Sequence, residues 1–192
     1  MRLVVGITGA TGAIYGIRTL EALRSRSVES HLVISPWGEK TIEVETSHRV
    51  EAVRALASHC YDPSDLGAPI SSGSYLTEGM VIVPCSMKTL AAIANGYSEN
   101  LIERAADVTI KEHRPLVLVV RETPLSAIHL ENMLKLARLG VTIMPPMPAF
   151  YCGLRSIDDI VNQLVGKVLD RFNIQHDLFQ RWGSSEHRHQ GE

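Results

Sequence analysis

Four glycines, Gly6, Gly9, Gly12 and Gly16, run from an apolar stretch at 3–7 into a helical pattern that opens at Ala13. A strand, a tight glycine turn and a helix start together make an anion site. Backbone N–H groups point outward there, and the helix dipole adds positive potential. Glycine has no Cβ, so a phosphate can approach the main chain closely. The chemistry this stretch predicts is the holding of a phosphate-bearing cofactor. The spacing is neither the G-x-G-x-x-G of a dinucleotide fold nor a P-loop, because no Gly-Lys-Ser/Thr follows. A ligand-free βα turn competes with the cofactor, since turn glycines are common in α/β proteins.

Further along, residues of chemical interest recur wherever an apolar run stops. Ser35 ends the run at 29–35, and Pro84-Cys85-Ser86-Met87-Lys88 ends 79–83. Arg121-Glu122-Thr123 ends 115–120, and Pro145-Pro146-Met147-Pro148 ends 141–144. The elements that must position them alternate. Helical patterns are expected at 13–25, from Pro36 to about 46, and at 50–58, 89–94, 99–112, 125–139 and 156–172. Ile14, Ile17, Leu20 and Leu23 phase the first helix; Leu130, Met133, Leu134 and Ala137 phase the one at 125–139, which Gly140 closes. Residues 61–75 are expected as a long loop. Five strands alternating with helices predict an α/β fold, a Rossmann-like (flavodoxin-like) doubly wound parallel sheet in a single domain. Ligands of such sheets bind outside the carboxyl ends of the strands, so the five polar or proline-rich exits are expected to wall one site.

Composition narrows the classes. The chain has 192 residues, 45% of them hydrophobic, and a formal net charge of -2, which suits one globular domain and gives no nucleic-acid footprint. No apolar run is long enough for a membrane span. The apolar strand at the very start argues against a signal peptide. Cys60, Cys85 and Cys152 lack metal-ligand spacing and are expected as reduced thiols of a cytoplasmic protein. The expected layout is a domain over 1–183 and a polar tail over 184–192, whose His187 and His189 carry no metal signal.

The blocks GITGATGAIYG, ISSGSY, MVIVPCSMKTLAAIANGYSENLIERAADVTIKE, LVLVVRETPLSAIHLENMLKLARLG and IMPPMPAFY resemble the UbiX/Pad1 flavin prenyltransferases, over residues 1 to about 182. The resemblance implies an enzyme that joins a dimethylallyl group to N5 and C6 of reduced FMN. The prenylated FMN so made serves a separate UbiD-type decarboxylase. It implies FMN contacts from Gly9, Ala10, Thr11, Gly12, Ser35, Cys85, Ser86, Met87, Lys88 and Arg121. Arg104, Lys111, Tyr151 and Lys167 match the residues that hold dimethylallyl phosphate. Glu122 belongs to the same pocket, and Glu45 matches a carboxylate that relays a proton with the Thr11 hydroxyl. The resemblance also implies a homododecamer with sites at subunit interfaces. Lys167 stands where the family usually has Arg, keeping the charge and losing the bidentate fork. Cys152-Gly153-Leu154 replaces a stretch that usually contains proline.

The residue types suit that chemistry. An anionic allyl phosphate must ionise at its C–O bond, and cations stabilise the leaving group. Aromatic ring closure releases a proton, for which Glu122, Glu45 through Thr11, and the released phosphate compete. The π face of Tyr151 would shelter an allyl cation. No metal is needed. The same residues admit plainer roles. Arg104 and Lys111, seven apart on one helical face, form a solvated face in most proteins. Glu122 beside Arg121 suits an ion pair, Cys85 a buried structural thiol, and Met133, Met144 and Met147 the core. His129, mid-helix, is expected as a packing or hydrogen-bonding residue and not as a base. Rival functions are a decarboxylase of the phosphopantothenoylcysteine type, an FMN-binding accessory subunit, and an aromatic-acid decarboxylase. The first needs Pro-x-Met-Asn-x-x-Met-Trp, where this chain reads Pro145-Pro-Met-Pro-Ala-Phe-Tyr151.

Overall fold

A computed structural model describes residues 1–183, and the tail expected over 184–192 lies outside the described residues. The chain falls into two compact units, one from Met1 to Pro146 and one beginning at Met147. Among the described residues no helix is long and apolar enough to cross a membrane.

The first unit runs β1 (Arg2–Ile7), α1 (Ala13–Ser25), β2 (Glu29–Ile34), α2 (Pro36–Glu45), α3 (Val50–Arg54), β3 (His59–Tyr61), β4 (Met80–Cys85), α4 (Met87–Ala94), α5 (Leu101–Lys111), β5 (Leu116–Val120), α6 (Ala127–Arg138) and β6 (Thr142–Ile143). All pairings are parallel, in the order β3-β2-β1-β4-β5-β6. Every residue of β4 and β5 is buried, as expected of parallel strands covered by helices on both faces. Ile17, Leu20 and Leu23 of α1 are fully buried. The expected doubly wound parallel sheet is present.

The sixth strand corrects the expected five. His59-Cys60-Tyr61 pairs with β2 at the sheet edge, and α3 stops at Arg54, not at 58. Without β3 the order renumbers to 2-1-3-4-5, the flavodoxin-like arrangement; with it the order is 3-2-1-4-5-6. Either way the connections reverse direction between β1 and β4, and a doubly wound sheet opens a ligand crevice at that point. The loop at 61–75 holds a 3-10 turn, Pro69–Ser71, whose Ile70 is buried. On α6 the buried pair is Met133 and Leu136, while Leu130, Leu134 and Ala137 are exposed. His129 closes a capping box with Ser126, a hydrogen-bonding role as expected, though at the start of that helix and not in its middle.

The second unit has a 3-10 turn, Phe150–Cys152, and α7 (Ile157–Asp170). Ser156 and Asp159 form a capping box at the head of α7. At its end Asp170 binds Arg181 at 2.7 Å and His176 at 3.1 Å. Met147, expected in the core, is exposed.

Candidate active site

The exits of β1, β2, β4 and β5 are tied to one another by hydrogen bonds. Thr8, buried, is the central knot. Its hydroxyl donates to the Pro84 carbonyl at 2.8 Å and accepts from the Ser86 N–H at 2.8 Å. Its own N–H donates to the same carbonyl at 3.2 Å. On one side Ser35 N–H donates to Ile7 O at 2.9 Å, and on the other Arg121 N–H donates to Cys85 O at 3.1 Å. The two strands on either side of the switch point are therefore held in fixed register just where they release their loops.

Those loops turn at once into helices. Ser35 caps α2, accepting from Gly38 N–H at 3.0 Å, and Ser86 caps α4, accepting from Thr89 N–H at 3.3 Å. A cavity of about 310 Å³ opens between them, lined by Thr8, Gly9, Ser35, Trp37, Ser86 and Lys88. Pro63 and Ile102 add apolar wall, and Asn100 and Glu103, which cap α5, complete the rim. Gly9 is required here: a Cβ would lie 2.4 Å from the Cβ of Trp37. The N-termini of α2 and α4, the Ser35 and Ser86 hydroxyls that cap them and the Lys88 ammonium group favour an anion, and the indole, prolines and Ile102 favour a flat apolar body.

At α1 the expectation needs correction. Gly12 is in the left-handed region, φ 100°, and has no side-chain cap of its own. Glu45, at the end of α2, supplies one: its Oε2 accepts from Gly12 N–H at 2.8 Å and Ala13 N–H at 3.1 Å. Part of the cradle expected over 8–12 is thus filled by the protein's own carboxylate. Ala10 is buried, and Thr11 is exposed at the turn beside these N–H groups.

The remaining expected residues divide by place. Cys85 is fully buried, and burial pushes its thiol well above the ordinary range, so it is no nucleophile. Met87 starts α4, and Lys88 is exposed, 3.7 Å from Glu99. Arg121 and Glu122 stand exposed at the β5 exit without pairing to each other; Glu122 Oε1 instead accepts from Thr123 N–H at 3.1 Å. Near Arg121, burial raises the Tyr15 phenol's pKa and the guanidinium opposes that rise. Arg104 and Lys111 do not line the cavity. Arg104 donates to Ser71 O at 3.2 Å and pairs with Asp107 at 2.9 Å, and Lys111 pairs with Glu112. Tyr151 and Lys167 belong to the second unit. There the Tyr151 ring meets Trp182 edge-on at 5.4 Å, and Lys167 lies 3.8 Å from Asp170.

Several residues of the cavity were not expected there, among them Trp37, Pro63, Asn100, Ile102 and Glu103. Thr8 was expected as the first residue of the loop but not as the knot between two strand exits, and Trp37 looks like part of a Ser-Pro helix start. The sparseness of aromatics, with two tryptophans in the chain, was the one signal for Trp37.

Comparison with known proteins places this geometry. The Flavoprotein family model matches residues 1–169. A probable UbiX-like flavin prenyltransferase of Streptomyces sp. (strain D7) is 60% identical over 95% of this chain and 92% of its own. A crystal structure of AnUbiX (PadA1) in complex with FMN and dimethylallyl pyrophosphate superposes with a TM-score of 0.93 at 55% identity, covering 94% of this chain and 96% of that one. A dodecameric FMN-dependent Ubix-like decarboxylase from Escherichia coli O157:H7 gives the same TM-score, 0.93, at 55% identity, covering 95% and 99%.

Proposed function

Because the chain belongs to the UbiX-like flavin prenyltransferases of the Flavoprotein family, we infer that it is itself a flavin prenyltransferase. It joins the dimethylallyl group of dimethylallyl phosphate to N5 and C6 of reduced FMN, and the prenylated FMN serves a UbiD-type decarboxylase. The observation that carries this reading is the cavity at the β1/β4 switch point, with helix N-termini and an indole on its walls. The donor set fits a flavin mononucleotide: polar N-termini for the phosphate end, apolar wall for the ring end. Reduced FMN supplies the nucleophile; all else falls to the chain.

We assign the flavin phosphate to the N–H groups of Gly9, Ala10 and Thr11, with Ser35 and Arg121 beside them. Glu45 already occupies those of Gly12 and Ala13. Its carboxylate fixes the turn that carries the Thr11 hydroxyl. The loop of Cys85, Ser86, Met87 and Lys88 covers the ring, and its position depends on the Thr8 knot. Glu122, exposed beside Arg121, takes the proton released on ring closure. Arg104, Lys111, Lys167 and Tyr151 receive the allyl phosphate. Each of the three cations now faces a carboxylate of its own chain. Exposed pairs of this kind contribute roughly 0–1 kcal/mol, so an incoming phosphate can displace them at low cost. We place these residues in sites completed between copies of a homododecamer. The three free cysteines suit a reducing compartment, the cytoplasm.

The test is transfer of function. The chain is incubated without oxygen with reduced FMN and dimethylallyl phosphate, and the small-molecule fraction is added to a cofactor-free UbiD-type decarboxylase. Decarboxylation is expected. A fraction that activates nothing, with either the monophosphate or the pyrophosphate as donor, would contradict the assignment.

A further inference from the structure

At the other ends of the strands, away from the flavin cavity, Glu29, His31 and His59 converge. Glu29 and His31 are two apart on β2 and so share a face, and His31 pairs with His59 in the β2–β3 register. Glu29 Oε1 lies 3.1 Å from His31 Nε2 and 3.4 Å from His59 Nε2, and the three donor atoms all fall within 4.8 Å of one another. Zinc held at ~2.0–2.1 Å by tetrahedral ligands sets neighbouring donors roughly 3.3–3.5 Å apart. The two distances to Glu29 Oε1 are close to that, and the two imidazole donors, within 4.8 Å of each other, need only draw together. We propose that Glu29, His31 and His59 bind one divalent transition-metal ion of the zinc class, at a site separate from the catalytic one.

The surroundings hold the donors as metal ligands are usually held. His31 Nδ1 is hydrogen-bonded to the Tyr61 hydroxyl at 2.9 Å, which turns Nε2 toward Glu29. Arg2 Nε binds the other carboxylate oxygen, Oε2, at 3.0 Å and leaves Oε1 to the histidines. Outer partners of this kind orient ligands and select the tautomer. Two imidazoles and one carboxylate are a borderline-soft set that suits zinc and leaves a position for water or an outside ligand. The Tyr75 hydroxyl also lies 3.3 Å from His31 Nε2 and would have to release it to the ion. His31 is fully buried and fixed, whereas His59 is half exposed. The two rings are stacked at 4.7 Å with planes 20° apart, and an ion cannot lie in both planes as they stand. Binding therefore turns the exposed His59 ring, the one ligand with room to move. The Arg2 guanidinium opposes the ion's charge, which favours a reversible site over a permanent one.

Calorimetric titration of metal-stripped protein with Zn²⁺ at neutral pH, and the visible spectrum with Co²⁺, test the site. One ion per chain and the intense bands of four-coordinate Co²⁺ are expected. His59→Ala, on an exposed edge where folding is safe, should weaken Zn²⁺ binding about tenfold or more, since even outer-shell changes cost 10–100-fold. The same variant should keep prenyl transfer. His187→Ala/His189→Ala should keep the ion. No bound ion, equal affinity in His59→Ala, or loss of the ion in the tail variant would each overturn the proposal.

Discussion

Glu122 and Glu45 were both expected near the proton chemistry, and their surroundings separate them. Glu122 is exposed at the β5 exit, where its Oε1 accepts from the adjacent N–H of Thr123. Glu45 is occupied by two backbone N–H groups at the head of α1. A base must be reachable by the proton it takes, which favours Glu122. Glu122→Gln keeps the shape and removes the base, so kcat should fall about 10²–10⁴-fold while reduced FMN still binds. Steady-state kinetics beside flavin fluorescence checks this, and unchanged kcat would return the role to Glu45 or the released phosphate. The sequence showed these residues by type and family resemblance. It could not show the cap, because Gly12 and Glu45 are 33 positions apart and meet only through α2 folding back.

Among elements, those covered on both faces were the most legible. β1, β4 and β5 are continuous apolar runs because helices shield them on each side, and their exits stood out. β3 was missed because His59-Cys60-Tyr61 is short, half exposed and lies at the sheet edge. On α6, apolar residues surround the helix, with Ile128, Leu130, Leu134 and Leu139 all exposed, so periodicity alone could not choose the buried face. The Thr8 knot makes a testable link between the β1 and β4 exits. Thr8→Val keeps the volume and leaves Ser86 N–H without its buried acceptor, at a cost of about 1–3 kcal/mol. FMN affinity should fall with that stability, and Thr8→Ser should restore both. Denaturant unfolding and FMN titration decide it, and wild-type FMN affinity in Thr8→Val would remove the knot from the account.

The head of α7 responds to pH. The Arg155 N–H, followed by Ser156, holds the Asp159 carboxyl below its usual range. A depressed folded pKa stabilises above the unfolded value, near ~4, and that contribution is lost as pH falls through the folded one. Asp159→Asn should therefore melt below wild type at neutral pH, with the gap closing in acid. Thermal melts of both proteins across that range check it, and a gap independent of pH would contradict it.

At the scale of the molecule, the flavin half of the site and the donor half differ in how they are built. The flavin half rests on adjacent strand exits of one sheet. The residues assigned to the allyl phosphate come from α5, off the cavity, and from the second unit, and each cation faces a carboxylate of its own chain. No periodicity or spacing reveals such a scattered set, which is why only resemblance named it. The fate of the flavin decides the function. Anaerobic incubation of the chain with reduced FMN and dimethylallyl phosphate, followed by mass spectrometry of the released flavin, measures it directly. A flavin heavier than FMN by one C5H8 unit is predicted. Unmodified FMN, recovered from protein that binds it, would contradict the central claim.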